Sequence, residues 1–305
     1  MRRFLAGRLA FALALVLIAY VGVFLLTGLA PGDAAGDHLG SEAALRLERL
    51  RLGLDQPLPA RLAARLWRLP SLDLGTSTRF GQPVLALVTG RATSTVQAGA
   101  AALLLALALG IPAGVVAARS SSAVLRHGIA TLSILLLSLP ALVVALLLLL
   151  LASGAGLPSL ATMVIALALP AAALLERLQS RALGGVLHDP CLTAARARGV
   201  PADQVTWHHA WPLSLPSVLG LAGIIAGQLL SGTLAIELVL ARSGLGRLTF
   251  DALQARDVDL AAACAAAVAL IVSLVSLSAD ALHLWLDPRV SIADDGVAAI
   301  GYPAR

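Results

Sequence analysis

Leu9–Leu29 is a run of 21 residues without one charged side chain. As an α-helix it reaches roughly 31 Å, the thickness of a bilayer's hydrocarbon core. In hydrocarbon each backbone N–H and C=O must be satisfied within its own segment, so such a run folds as a helix. Signal-peptide cores are only about 7–15 residues long. The best small-x-small site, Gly28-Leu29-Ala30, also runs straight into Pro31. Leu9–Leu29 therefore reads as a retained first helix.

The pattern recurs. Further apolar stretches lie at Thr95–Ala118, Ile129–Ala152, Leu160–Leu175, Val218–Leu240 and Leu260–Leu286. Pro112 and Pro140 fall inside the second and third, where neighbouring helices of a bundle can satisfy the freed backbone groups. With 59% hydrophobic and 13% charged residues, the chain lies far from soluble domains, which carry about 25% charge. The fold class expected is all-α, a polytopic membrane protein of six transmembrane helices.

Between the first two spans lies a mixed polar region. Glu42–Leu52 has helical apolar spacing, and Pro57–Leu69 reads as a second short amphipathic helix with Trp67 on its apolar side. The region lacks the Gly/Ser bias of a linker, so a small folded insert is expected. The domains follow: 1–30, the N-terminal end and first span; 31–94, an external insert; and 95–305, a five-helix core with a polar loop at 176–216.

Charge sets the orientation. The N-terminus carries Arg2, Arg3 and Arg8 without an acid, and the 119–128 turn carries Arg119 and Arg126. Placing both inside puts the two chain termini in the cytoplasm and the 31–94 and 241–259 segments outside. The net charge of +5 is explained by this topology, and no basic patch with interleaved aromatics points to nucleic acid. All 22 basic residues are arginine. A P-loop, whose lysine reaches the nucleotide phosphates, is therefore excluded, and ATP hydrolysis would need a separate chain.

Enzymatic constellations are weak. Cys191 and Cys264 lack metal-ligand spacing, no His pattern suits zinc, and neither a metal nor a cofactor is expected. His208 and His209 are adjacent and diverge by about 100° on a helix. Glu237 and Asp280 sit near span ends. Boundary acids either line or gate a polar pathway or pair at the interface with Arg242, Arg247 or backbone.

The most informative polar stretch is Arg181–Pro216. Thr193–Arg198 is an Ala-rich helix former. Gly199 supplies the left-handed position past its end, and Pro201 suits the start of a second helix. That second helix, Ala202–Trp211, should stop at Pro212. The element either plugs into a partner's groove or lies on lipid, with Trp207 and Trp211 as anchors.

Residues Ala194-Ala195-Arg196-Ala197-Arg198-Gly199, then His209-Ala210 and Leu215-Pro216, resemble the EAA loop of inner-membrane permeases of ABC importers. The similarity is narrower still to the dipeptide/oligopeptide/nickel permease family, with its T-A-R-A-K-G and H-A-L-R-N-A-x-L-P. Leu52-Gly53-Leu54-Asp55-Gln56-Pro57, Leu72-Asp73-Leu74-Gly75 with Pro83-Val84, and Gly232 to Glu237 followed by Gly244-Leu245-Gly246-Arg247 are similar to further motifs of that family. So are Arg256-Asp257 and Asp280 with Asp287-Pro288-Arg289, all in the family's order. Thr193 stands at the EAA glutamate, Ser243 at a usual proline, and Trp211-Pro212-Leu213 where the family has a basic residue and Asn.

The resemblance implies a permease subunit in the bacterial inner membrane. Its partners would be a homologous second permease, two ABC ATPases and an external substrate-binding protein. Coupling to the ATPase would fall to Ala194, Ala195, Arg196, Arg198, Gly199, Val200 and His209. Docking of the binding protein would fall to Asp55, Gly244, Gly246, Arg247, Arg256 and Asp257. The substrate would be a short peptide, with nickel or a metal chelate as the alternative. From other classes, a membrane-embedded hydrolase or a scaffold remains open. A secondary transporter would need internal repeats, and no clear repeat is present.

Overall fold

A computed structural model describes residues 2–30, 56–152 and 158–286. Among these it is helical, with one isolated β-bridge between Thr76 and Pro83. Ten helices are named here: α1 (Arg2–Leu29), α2 (Leu58–Arg68), α3 (Val84–Arg119), α4 (Ala123–Ser138), α5 (Ala141–Ala152), α6 (Ser159–Val186), α7 (Pro190–Ala197), α8 (Trp211–Val239), α9 (Leu245–Gln254) and α10 (Val258–Leu286). Five are long and apolar enough to cross a membrane, and α4 with α5, bent by 98° at their break, passes the same test as a pair and counts as a sixth when taken as one span. The six expected spans are thus present in order.

Their extents differ from the sequence-based ones in ways that polar residues explain. The second helix begins at Val84, eleven residues before the expected start at Thr95 and inside the range assigned to the insert, and runs to Arg119. The fourth runs to Val186 rather than Leu175. Glu176, the first residue past the expected end, is buried by the bundle. The third span is broken rather than kinked. Helix α4 stops at Ser138, Leu139 is extended, and α5 starts just after Pro140.

The centre of the bundle is built from small residues. Ala98, Ala102 and Ala106 of α3 pack with Met163, Ala166 and Leu167 of α6 and with Ile225, Leu229 and Ile236 of α8. A Cβ on Gly110 would lie 2.5 Å from Ala172 O, and one on Gly114 would lie 2.7 Å from Glu176 O. Close approach of two backbones at small residues is what holds helices together where lipid removes the hydrophobic drive. Both contacts advance in step along the two chains, so α3 and α6 run parallel. Helix α1 packs on α10, with Tyr20 and Phe24 buried beside Ala262, and leaves Phe11, Leu13, Ile18 and Leu26 exposed.

Trp67 is a correction. Leu58, Leu62 and Leu66 form the packed face of α2, whereas Trp67 points away and is 88% exposed. The Glu42–Leu52 helix expected from the sequence lies outside the described residues.

Candidate functional site

One end of the bundle carries the polar 187–210 element. Asp189 caps α7, its carboxylate accepting from Cys191 N–H at 2.8 Å. The helix closes at Arg198, where Gly199 N–H donates to Arg196 O (2.9 Å) and Val200 N–H to Ala195 O (3.3 Å). Gly199 has φ +82°, and nothing lies within 4 Å of a Cβ built there. Glycine is needed at that position for its left-handed backbone, not for space.

The second half departs from the sequence reading. Pro212 does not stop the helix. After a turn at Ala202–Gln204 the backbone widens into a π-helical stretch, Val205–Ala210, that runs unbroken into α8. Trp211 N–H reaches back to Thr206 O, five residues away. A proline ring strikes the carbonyl four residues before it in a regular helix. The wider turn relieves that clash, and Pro212 then sits in the first α-helical turn of α8, where its missing N–H costs little.

This element has its own small core. Leu192, Val205 and Ala210 are buried with Val115 of α3 and Leu183 of α6, and Ala195 and Val200 pack around them. Arg119 at the end of α3 pairs with Asp203. Trp207 and Trp211 meet edge-on at 5.7 Å. The opposite surface is open: Ala194, Arg196, Arg198, Gly199 and His209 are exposed, and Ala195 and Val200 are half-buried. The coupling candidates therefore share one short element that presents two arginines outward and is anchored to two spans behind.

At the other end lies a second cluster. Glu237, near the end of α8, is 1% exposed. Thr95 Oγ1 donates to its Oε1 at 2.6 Å, and Gly246 N–H donates to its Oε2 at 2.7 Å. Leu245 N–H in turn donates to Thr95 Oγ1 (2.9 Å). The carboxylate thus occupies the N-terminus of α9, where free N–H groups and the helix dipole favour an anion. A Cβ on Gly244 would lie 2.1 Å from that carboxylate, and one on Gly246 would lie 2.4 Å from Leu234 O. These glycines are what let the α8–α9 turn fold onto Glu237. Of the same motif, Arg247 remains half-buried.

Asp257 is also buried. Its Oδ1 accepts from Leu260 N–H, capping α10, and its Oδ2 accepts from Ser77 Oγ (2.6 Å) and Arg79 N–H (3.3 Å). Arg65 of α2 meets Asp259 at 2.5 Å. Arg256 beside them is half-buried, at φ +54°. Two distant pieces of sequence, 56–83 and 241–259, are thereby joined into one surface. Asp55 lies outside the described residues.

Asp280 sits at the opposite end of its helix, 3.2 Å from Arg8 Nε without hydrogen-bond geometry. The pair places the start of α1 and the end of α10 at one face. It does not join Asp280 to Glu237, so the two acids singled out together are at opposite ends of the bundle.

Sequence reasoning missed a set of internal polar residues. Glu176 is 4% exposed and accepts from Ser133 Oγ at 2.6 Å, and the amide of buried Gln179 donates to Ser214 Oγ at 2.9 Å. The signal was the three-residue spacing of Glu176 and Gln179, which shares one helix face. The expected span, Leu160–Leu175, ends just before them.

A six-span helical membrane protein with an exposed, core-backed loop at one end is the architecture of a transport permease, and similarity to known proteins agrees. Residues 110–292 match the family described as binding-protein-dependent transport system inner membrane component. The chain is 32% identical to a putative peptide transport system permease protein of Brucella abortus (strain 2308), over 93% of this chain and 97% of that one. It is 30% identical to the probable D,D-dipeptide transport system permease protein DdpB of Escherichia coli (strain K12), covering 88% and 91% of the two chains. A structure titled as inward-facing conformations of the MetNI methionine ABC transporter superposes with a TM-score of 0.59 at 17% identity. It covers 67% of this chain and 97% of its own, a likeness of fold.

The chain belongs to the family of binding-protein-dependent transport system inner membrane components. It is a transport component rather than an enzyme, and as the permease of an ABC importer it implies an ATPase and a substrate-binding protein as partners.

Proposed function

We propose that this chain forms half of the translocation pathway of an ATP-driven importer for short peptides. It pairs with a homologous second permease, two ATPase subunits and one external binding protein. The N- and C-termini face the cytoplasm. The 56–83 and 241–259 segments make the outer docking surface, within an outer region that begins at residue 31.

The observation that carries the reading is the Leu192–Val205–Ala210 core beneath the exposed Ala194, Arg196, Arg198 and Gly199. A helix lying on lipid would turn its apolar face outward. Here that face is turned inward onto α3 and α6, and Arg196 and Arg198 point away, free to enter a partner's groove. Closure of the ATPases on ATP would pull this element and rock the spans behind it. Peptide as substrate is supported by the names of the relatives, which include peptide and D,D-dipeptide permeases.

The test is co-expression with the neighbouring ATPase and binding-protein genes. The solubilised chain should retain the ATPase through purification, and reconstituted vesicles should take up a short peptide on ATP addition. Gly199→Leu should insert and assemble normally yet lose uptake while ATP hydrolysis continues. Wild-type-like uptake by that variant, or an ATPase that never co-purifies, would overturn the proposal.

A further inference from the structure

Gln228 stands near the middle of the Val218–Val239 span, and its side chain is exposed. Its amide has no hydrogen-bond partner among the described residues. It belongs to a stripe with Leu221, Ile224 and Ser231, all exposed and all on one face of α8 by helical spacing. An amide at the centre of a span is costly against lipid tails, because nothing there can satisfy its donors and acceptor.

The same level of the bundle holds a second anomaly. A groove beside Gln228 and Gly232 is walled by Leu137 and Ala141, on either side of the broken third span, and by Pro170 and Ala171 of α6. Its other walls are Leu and Ile, and no lining residue carries charge. At the break, α4 ends at Ser138 and Pro140 brings no N–H, so carbonyls of the last turn lack intrahelical donors. Pro170 removes one more helix hydrogen bond nearby. Irregular backbone at membrane depth is tolerated only where it is buried in protein or lines a wet cavity. Here it adjoins an open groove.

We infer that the groove between Ala141, Pro170 and Gln228 is the midplane wall of the pathway, and that Gln228 hydrogen-bonds the main-chain amides of the passing substrate. This rests on the peptide-importer reading. The chemistry of the lining selects the ligand class. One carboxamide, donor and acceptor both, in an otherwise apolar lining complements a chain that offers both N–H and C=O groups. The absence of charge in the lining gives no purchase on a metal ion and leaves the peptide's side chains unread.

The test uses the reconstituted importer with tri-alanine as the transported probe. Gln228→Leu should lower the uptake rate about fivefold or more, the worth of one hydrogen bond, while binding-protein-stimulated ATP hydrolysis persists. Gln228→Asn should recover part of the loss. Equal uptake by wild type and Gln228→Leu overturns the inference and leaves the importer reading standing. Failure of the wild type to transport any peptide overturns that reading, and the inference with it.

A second measurement does not depend on transport. In a Cys191→Ser background, a Gln228→Cys thiol should react with a charged, membrane-impermeant methanethiosulfonate. Addition of tri-alanine with its binding protein and ATP should slow that reaction. An inert thiol in the assembled complex places residue 228 against lipid or against the second permease, and either result overturns the inference.

Discussion

Ser133 Oγ donates a 2.6 Å hydrogen bond to Glu176 Oε2, tying the broken third span to the fourth across 43 residues of sequence. Both side chains are buried, so the bond stands in place of water for a carboxyl group that the bundle has enclosed. Removing one partner leaves the other unsatisfied, which typically costs about 1–3 kcal/mol. Glu176→Ala should therefore lower the melting temperature of the detergent-solubilised protein, whereas Glu176→Gln, which keeps an acceptor for Ser133, should lie close to wild type. Equal melting of all three proteins would contradict this.

Glu237 and Gly244 should behave as one unit. Glu237→Ala strands Thr95 and the Gly246 N–H, again a loss of about 1–3 kcal/mol. Gly244→Ala places a methyl group where the carboxylate now sits, 2.1 Å away, and should be at least as damaging. Because Glu237→Ala removes the group that would be struck, the double variant should be less destabilised than the sum of the singles. A thermal-melting double-mutant cycle reads that coupling, and simple additivity would argue against the packing described.

Loss of the Asp257 carboxylate predicts a change in the 77–79 turn rather than in the bundle. It holds the 77–79 turn through Ser77 Oγ and Arg79 N–H. Asp257→Ala should expose the 72–83 connection, and brief trypsin digestion should then cut after Arg79 several times faster. Cleavage at an unchanged rate would mean that the turn holds without this carboxylate.

At Gly199 the strain is one of backbone conformation. Asn tolerates the left-handed region far better than branched or bulky residues. In the reconstituted importer, Gly199→Asn should retain much more transport per ATP hydrolysed than Gly199→Leu. Because no atom lies within 4 Å of a Cβ at this position, equal defects in the two variants would point to lost partner contact instead of φ.

The number and order of spans were legible because long uncharged runs have one physical outcome in a bilayer. Gly199 and its turn were legible too, since a left-handed helix end has a strong residue preference. Local sequence does not reveal whether an acid at a span end faces water or a serine on another helix. Glu176 stands just past the expected end of its span, yet it is an interior residue. Pro140 and Pro212 show the same limit from opposite sides. One breaks its helix by 98°, and the other leaves its helix intact because a π turn precedes it. Leu139 before Pro140 is extended, whereas Pro212 follows a turn closed by the Trp211 N–H to Thr206 O bond. The glycines at 244 and 246 matched a motif, but their physical reason, a carboxylate and a carbonyl pressed against them, appears only in three dimensions.

The unbroken path from Ala202 to Val239 has a mechanical consequence. It is a single strut, roughly 55 Å long at a helical rise of about 1.5 Å per residue. One tip is built into the small core beneath Arg196 and Arg198, and the other ends at the latch between Glu237 and α9. A strut has no joint at which to lose motion other than its π turn and Pro216. A few degrees of tilt at one tip of such a strut would become several ångströms of travel at the other, so in the proposed importer the stiffness of this one helix would set how faithfully the two faces of the bundle move together.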